Sequence, residues 1–179
     1  MALAAAGDAE AFGELYERYL GPVYRFIAAR TGSPEEAADL TQHVFLNAFR
    51  GLAHYHSGSA GFAPWLFRIA RNVSTDASRR RRVTVPIENL PIAFEAAPQA
   101  SPEVAAMDHE RVNALHARVA RLDPKKQELL ALRYAAGLSS REIAAVVGKS
   151  EAAVKKQLSR LIEALKEQYR DELSPETQR

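Results

Sequence analysis

Two groups of side chains have types and spacings that suit contact with nucleic acid. The first lies near the C terminus, where apolar residues recur every three or four positions, as they do on a helix. The opposite side of that helix carries Ala152, Lys155, Lys156, Gln157, Ser159 and Arg160. Small residues permit close approach to a major groove, cations bind phosphates or guanine, and an amide pairs with adenine. The alternative is a solvated basic face on a bundle helix.

The second group surrounds a glycine-rich segment, residues 51–61. It consists of three aromatic residues and three polar or basic ones, namely Tyr55, Phe62, Trp65, Arg68, Arg71 and Asn72. Aromatic faces beside cations bind unstacked bases, because stacking tolerates any sequence and arginine holds the backbone. The alternative is that the aromatic residues fill a core. Four further arginines, residues 79–82, indicate a phosphate contact or a solvated helix end.

The sequence predicts neither an enzyme nor a metalloprotein. His43, His54 and His56 lack a carboxylate or cysteine set to complete a metal site. The common phosphate-binding, dinucleotide-binding and hydrolase motifs do not occur. We therefore expect no catalytic residues, no metal and no cofactor.

The C-terminal basic face requires a helix-turn-helix to position it. Ser139 and Glu142 form a capping box that starts one helix, and Gly148 suits a left-handed helix end. Ser150 then caps the next helix, from which Val154 returns to pack on the first. This combination predicts a helix-turn-helix.

The rest of the chain is predicted to be helical, giving an all-α fold of two small bundles joined by a flexible linker. The prolines and acidic residues of 83–103 indicate the linker between an N-terminal bundle, 1–82, and a C-terminal one, 104–179. Helices are predicted at 104–122, 124–135, 139–147 and 150–169, and residues 51–61 are predicted to form a loop. Gly21 and Pro22 predict a kink or break in the first helical run, and Ser33 predicts the start of the next helix.

Composition indicates an ordinary globular protein, with 47% hydrophobic and 26% charged residues in 179. The net charge of +2 is divided into mildly basic ends and an acidic middle. No apolar stretch approaches the roughly 18 residues that span a bilayer, the first seven residues do not resemble a secretion signal, and cysteine is absent. We expect a soluble cytoplasmic protein without membrane insertion.

Several motifs resemble the extracytoplasmic-function (ECF) group of bacterial RNA polymerase sigma factors, within the sigma-70 family. They are residues 39–49 (DLTQHVFLNAF), 64–72 (PWLFRIARN), 122–124 (LDP), 138–144 (LSSREIA) and 154–156 (VKK). Their order and separation match regions two and four of that family. The sequence departs from that family in two places. His43 stands where the family usually has an acidic residue, and Lys156-Gln157 stand where a small residue followed by arginine is commoner.

The resemblance implies a role for each part of the chain. The first bundle is expected to bind the β′ clamp helices of core RNA polymerase through Asp39, Leu40, Gln42 and Asn47. Residues 55–62, with Trp65, Arg68, Arg71 and Asn72, are expected to recognise and melt the minus-ten element. The second bundle is expected to read the minus-thirty-five element and bind the β flap, with the linker in the polymerase cleft. An anti-sigma factor is a further expected partner.

Two alternatives remain at this point. A stand-alone helix-turn-helix regulator with an N-terminal sensing domain explains residues 104–179 but not the aromatic and basic group. A purely structural helical protein leaves the basic face unexplained. A repressor binds duplex DNA alone, whereas a sigma factor usually needs core polymerase.

Overall fold

The first bundle contains three helices in the computed structural model, which describes residues 9–31, 33–55, 61–84 and 115–173. Helix α1 spans Ala9–Ala28, α2 spans Pro34–Gly51 and α3 spans Phe62–Thr84, with a 3-10 turn at Leu52–His54 after α2. The predicted start of α2 is confirmed, because the Ser33 side chain accepts the N–H of Glu36 at 3.1 Å. The segment 51–61, which the sequence predicts as a loop, begins with helical residues at 51–54, and its residues 56–60 lie outside the described ones.

A break in helix α1 is contradicted, because the helix runs continuously from Ala9 to Ala28 through Gly21 and Pro22. An internal proline costs a helix about 3 kcal/mol. The residues that follow, Val23, Phe26 and Ile27, are fully buried, and each such side chain stabilises by about 1.5–3 kcal/mol. Core packing therefore outweighs the local penalty.

The second bundle begins with helical residues 115–120, and residues 104–114 of the predicted helix lie outside the described ones. Helix α4 follows at Pro124–Leu130, then a π-helical turn at Ala131–Ala135, α5 at Ser140–Val147 and α6 at Glu151–Leu173. The predicted single helix at 124–135 thus changes from α to π geometry, and Ala136 donates to the Ala131 carbonyl five residues back.

The predicted helix-turn-helix is confirmed in α5 and α6. The Ser139 hydroxyl accepts the Glu142 N–H at 3.2 Å, and the Glu142 carboxylate accepts the Ser139 N–H at 2.8 Å. Gly148 is left-handed, with φ of 70°, and Val154 is fully buried against the core. Val146 is also buried, and Val147 is half-buried against the same core.

The two bundles are packed against each other rather than separated. Helix α3 contacts α5, α1 contacts the π-helical turn, and buried apolar residues of both bundles form one continuous cluster. Helix α3 extends to Thr84, two residues into the predicted linker, and the remainder of that linker lies outside the described residues. No helix among the described residues is long and apolar enough to cross a membrane.

The turn of the helix-turn-helix offers a matched pair of stability measurements. Gly148→Ala should lower the free energy of unfolding by about 1–2 kcal/mol, because an L side chain is strained at positive φ. Gly13→Ala, at an open position inside α1, should raise it by about 0.5–1 kcal/mol. Urea unfolding followed by circular dichroism measures both, and equal effects would contradict this account of the turn.

Candidate nucleic-acid interface

The six residues of the predicted C-terminal basic face are on α6. All six are exposed, and none belongs to the apolar side that Val154, Leu158 and Leu161 bury. Lys155 pairs with Glu151 at 2.6 Å, and this bond lowers the pKa of the Glu151 carboxyl. Gln157 accepts a hydrogen bond from Lys149 at 3.0 Å. The face is thus open to solvent, with Lys155 and Gln157 held by local contacts.

The aromatic residues of the N-terminal group pack on one another. The ring of Tyr55 lies 5.8 Å from that of Phe62 and 4.9 Å from that of Trp65, measured between ring centres. Phe62 is only 5% exposed and also packs on Tyr19, whereas Tyr55 and Trp65 are half-buried. Burial raises the pKa of the Tyr55 hydroxyl. In this arrangement the accessible aromatic surface belongs to Tyr55 and Trp65, and Phe62 serves the core.

The basic residues of that group point toward the second bundle. Arg68 donates from Nε and Nη2 to the carbonyl of Ala145 in α5, at 3.0 and 2.6 Å. Arg71 donates from Nε to the Glu128 carboxylate of α4 at 2.8 Å. Asn72 is exposed beside them. Two arginines predicted to contact DNA are therefore engaged within the protein.

The predicted docking residues divide between a surface and a cavity. Asp39 and Gln42 are exposed on α2, one helical turn apart. Leu40 and Asn47 line a cavity of about 210 Å³ between α2 and α3, whose wall also includes Asn72. The structure thus brings two of the residues predicted for polymerase docking together with one predicted for the minus-ten element.

Two residues near this surface were missed by the sequence analysis. Leu46 is 46% exposed and Phe49 53% exposed, and both lie on the same side of α2 as Asp39 and Gln42. The signal was present in the sequence, because residues 44–49 contain more apolar side chains than one buried stripe needs. Large apolar side chains left exposed in this way mark contact surfaces.

Histidines do not form a metal site in the part of the chain described. His43 lines the α2–α3 cavity and His54 lies in the 3-10 turn, whereas His56 is outside the described residues. Within those same limits, no three histidine, aspartate or glutamate side chains converge.

Two regions of one protein family match the two bundles that carry these surfaces. The Sigma-70 region 2 family matches residues 15–84, and the Sigma-70 region 4 family matches residues 113–165. The chain belongs to the sigma-70 family. Sigma region 2 coincides with α1–α3, and sigma region 4 with the bundle that carries the helix-turn-helix.

Relatives place the chain in the ECF group of sigma factors. It is 39% identical over 164 residues to the ECF RNA polymerase sigma factor BldN of Streptomyces coelicolor, covering 90% of this chain and 61% of BldN. It is 33% identical over 174 residues to the ECF sigma factor SigD of Mycobacterium tuberculosis, covering 94% of this chain and 81% of SigD. Less than two thirds of the length of BldN is therefore spanned.

A solved structure shares the fold of this sigma-family chain. The structure of CnrH in complex with the cytosolic domain of CnrY matches with a TM-score of 0.69 and 25% identity. The match covers 95% of this chain and 94% of CnrH. Both helical bundles therefore have counterparts in one known structure.

Proposed function

We propose that the protein is an ECF sigma factor that directs core RNA polymerase to specific promoters and initiates transcription there. The observation that carries the proposal is the presence of two separate exposed surfaces in one chain. The C-terminal basic face lies on α6 and suits DNA. An exposed side of α2 combines Asp39 and Gln42 with Leu46 and Phe49 and suits a protein partner. A stand-alone regulator has use for the first surface only.

The partners follow from these surfaces. Exposed apolar side chains flanked by polar ones suit a protein helix, and we assign α2 to the β′ clamp helices of core polymerase. We assign α6 to the minus-thirty-five element, Tyr55, Trp65 and Asn72 to the minus-ten strand, and the second bundle to the β flap. The activity is regulatory rather than enzymatic, and its compartment is the cytoplasm.

An anti-sigma factor is a further proposed partner. CnrH was solved with the cytosolic domain of CnrY, so a chain of this fold can bind another protein. The exposed Leu46 and Phe49 make α2 a suitable surface for such a partner as well.

Reconstitution tests the proposal directly. The purified protein should co-purify with core RNA polymerase and start transcription at discrete sites on genomic fragments, which core polymerase alone does not do. Tight binding of duplex DNA by the protein alone, without any stimulation of core polymerase, would instead establish a stand-alone regulator.

The aromatic residues give a separate prediction. Tyr55→Ala should reduce transcription by about 10-fold, because base stacking is worth about 1–3 kcal/mol and Tyr55 retains accessible ring surface. Asn72→Ala, which removes an exposed amide of α3, should also reduce transcription. Templates with an ordinary and a premelted minus-ten element distinguish the roles, since rescue on the bubble indicates melting and loss on both indicates base recognition. Tyr134→Ala, at an exposed tyrosine of the second bundle, is the control.

Wild-type transcription by Tyr55→Ala and Asn72→Ala on both templates would contradict this assignment and leave the segment as a structural connection.

A further inference from the structure

A lysine in the turn of the helix-turn-helix holds the side chain of Gln157. The Lys149 ammonium donates to the Gln157 Oε1 at 3.0 Å. The backbone of Lys149 is fixed as well, because its N–H donates to the Ala144 carbonyl at 3.0 Å, just after the left-handed Gly148. Side chains on a helix lean toward its N terminus, so Gln157 leans toward this turn. The turn therefore determines how the amide of Gln157 is presented.

The contact fixes which way round the Gln157 amide lies. An ammonium group has three donors and no acceptor, so it binds the amide oxygen and not the nitrogen. Because the amide is planar, its Nε2 group, with two N–H donors, then points away from Lys149. Charge-assisted hydrogen bonds are roughly twice as strong as those between neutral groups, which favours this orientation over the flipped one. Gln157 thus presents donors to a partner in front of α6.

The rest of the C-terminal basic face also consists mainly of donors. Three of its six residues are cations, which carry donors only. With the Gln157 oxygen engaged by Lys149, the Ser159 hydroxyl is the other side-chain acceptor of these six residues. In the major groove guanine presents two acceptors, N7 and O6, whereas adenine presents one acceptor and the N6 amino donor. A face of donors therefore matches guanine.

We propose that Lys149 is a positioning residue for base recognition, which holds the Gln157 amide so that α6 reads guanine in preference to adenine at one position of the minus-thirty-five element. The promoter context rests on the proposed function. A free glutamine pairs with adenine by accepting from N6 and donating to N7. The held oxygen keeps a second lone pair, but the ammonium beside it repels the adenine amino group. Residue type alone favours adenine for this amide, and the lysine contact changes that preference to guanine.

Base preferences of the polymerase holoenzyme test the proposal. Promoters with each of the four bases at every position of the minus-thirty-five element are transcribed in competition, and Gln157→Ala identifies the position that Gln157 reads, because the preference there is lost. At that position the wild-type chain should favour guanine over adenine about fivefold or more. Lys149→Met should lower this ratio about fivefold, because the released amide can pair with adenine. Lys149→Arg keeps a donor and should retain the wild-type ratio.

Lys166→Met is the matched control, because it removes an exposed cation of α6 far from Gln157. Loss of a phosphate contact weakens binding to all sequences alike, so it cancels in a ratio of two bases. The contact itself is measured by NMR on the protein alone. The side-chain amide resonances of Gln157, assigned by their loss in Gln157→Ala, should shift in Lys149→Met and stay in place in Lys166→Met.

An unchanged guanine-to-adenine ratio in Lys149→Met would overturn the proposal, as would equal changes in Lys166→Met or a wild-type preference for adenine at the Gln157 position. Unshifted Gln157 resonances in Lys149→Met, or no promoter position altered by Gln157→Ala, would overturn it too. If circular dichroism shows that Lys149→Met does not fold, Lys149→Ala decides. Failure of the proposed function is a separate result, because it appears as absence of polymerase-dependent transcription by the wild-type protein. The base ratios are then measured from duplex binding by the chain alone.

Discussion

Leu46→Ala should weaken binding to a β′ clamp-helix fragment about 30-fold or more. Leu46 projects from α2 with 46% of its surface exposed, beside Phe49 and on the same side as Asp39 and Gln42. An apolar anchor at the centre of a protein interface is worth about 2 kcal/mol or more when truncated. Because the side chain is already half in solvent, its loss should leave the free energy of unfolding nearly unchanged. Fluorescence anisotropy with the labelled fragment measures the affinity.

A second leucine of the chain provides the control. Leu115 is 47% exposed but belongs to the second bundle, so Leu115→Ala removes equal surface away from α2. Asp39→Ala combined with Gln42→Ala should also reduce binding, because both can pair with cations on a partner helix. Equal loss from Leu46→Ala and Leu115→Ala, or no loss from any of these changes, would contradict docking through α2.

Local signals explain why the helix-turn-helix was predictable from the sequence. The capping box joins Ser139 to Glu142, the left-handed turn needs only Gly148, and Val154 lies six residues further along. Each feature is encoded within one or two helical turns, where residue type and spacing determine the geometry. The same holds for the Ser33 cap of α2.

The contact between the bundles could not be predicted in this way. Arg71 and Glu128 are 57 residues apart, and Arg25 and Ala135 are 110 apart. Nothing near Glu128 in the sequence distinguishes it from a solvated glutamate, and backbone carbonyls carry no residue signal at all. Arg68 and Arg71 were recognised as basic residues, but only the fold shows that their guanidinium groups are engaged within the protein.

Aromatic residues show a second limit of the sequence. The sequence groups Tyr55, Phe62 and Trp65 around one glycine-rich segment, but their positions along the chain do not separate core rings from accessible ones. The structure separates them, with Phe62 5% exposed and the other two half-buried.

Lys156→Ala combined with Arg160→Ala should weaken binding of the polymerase holoenzyme to a promoter with a minus-thirty-five element. Both cations are exposed on the α6 face, opposite the buried Val154 and Leu158. If both contact phosphates, the slope of log affinity against log salt concentration should fall by about two, because each contact releases about one counterion. If Lys156 reads a base, one promoter position should relax at a cost of about 1–3 kcal/mol. Filter binding over a salt series measures the slope, and filter binding to promoters changed at single positions measures the preference.

Lys166→Ala is the matched control, because Lys166 is also an exposed lysine of α6 but lies nearly three turns beyond Lys156. It should leave both the slope and the promoter preference unchanged. Two results would contradict the assignment: an unchanged slope and preference in the double variant, or equal effects in the double variant and Lys166→Ala. In the second case only the overall charge of the chain would matter, and α6 would not enter the groove with its predicted face.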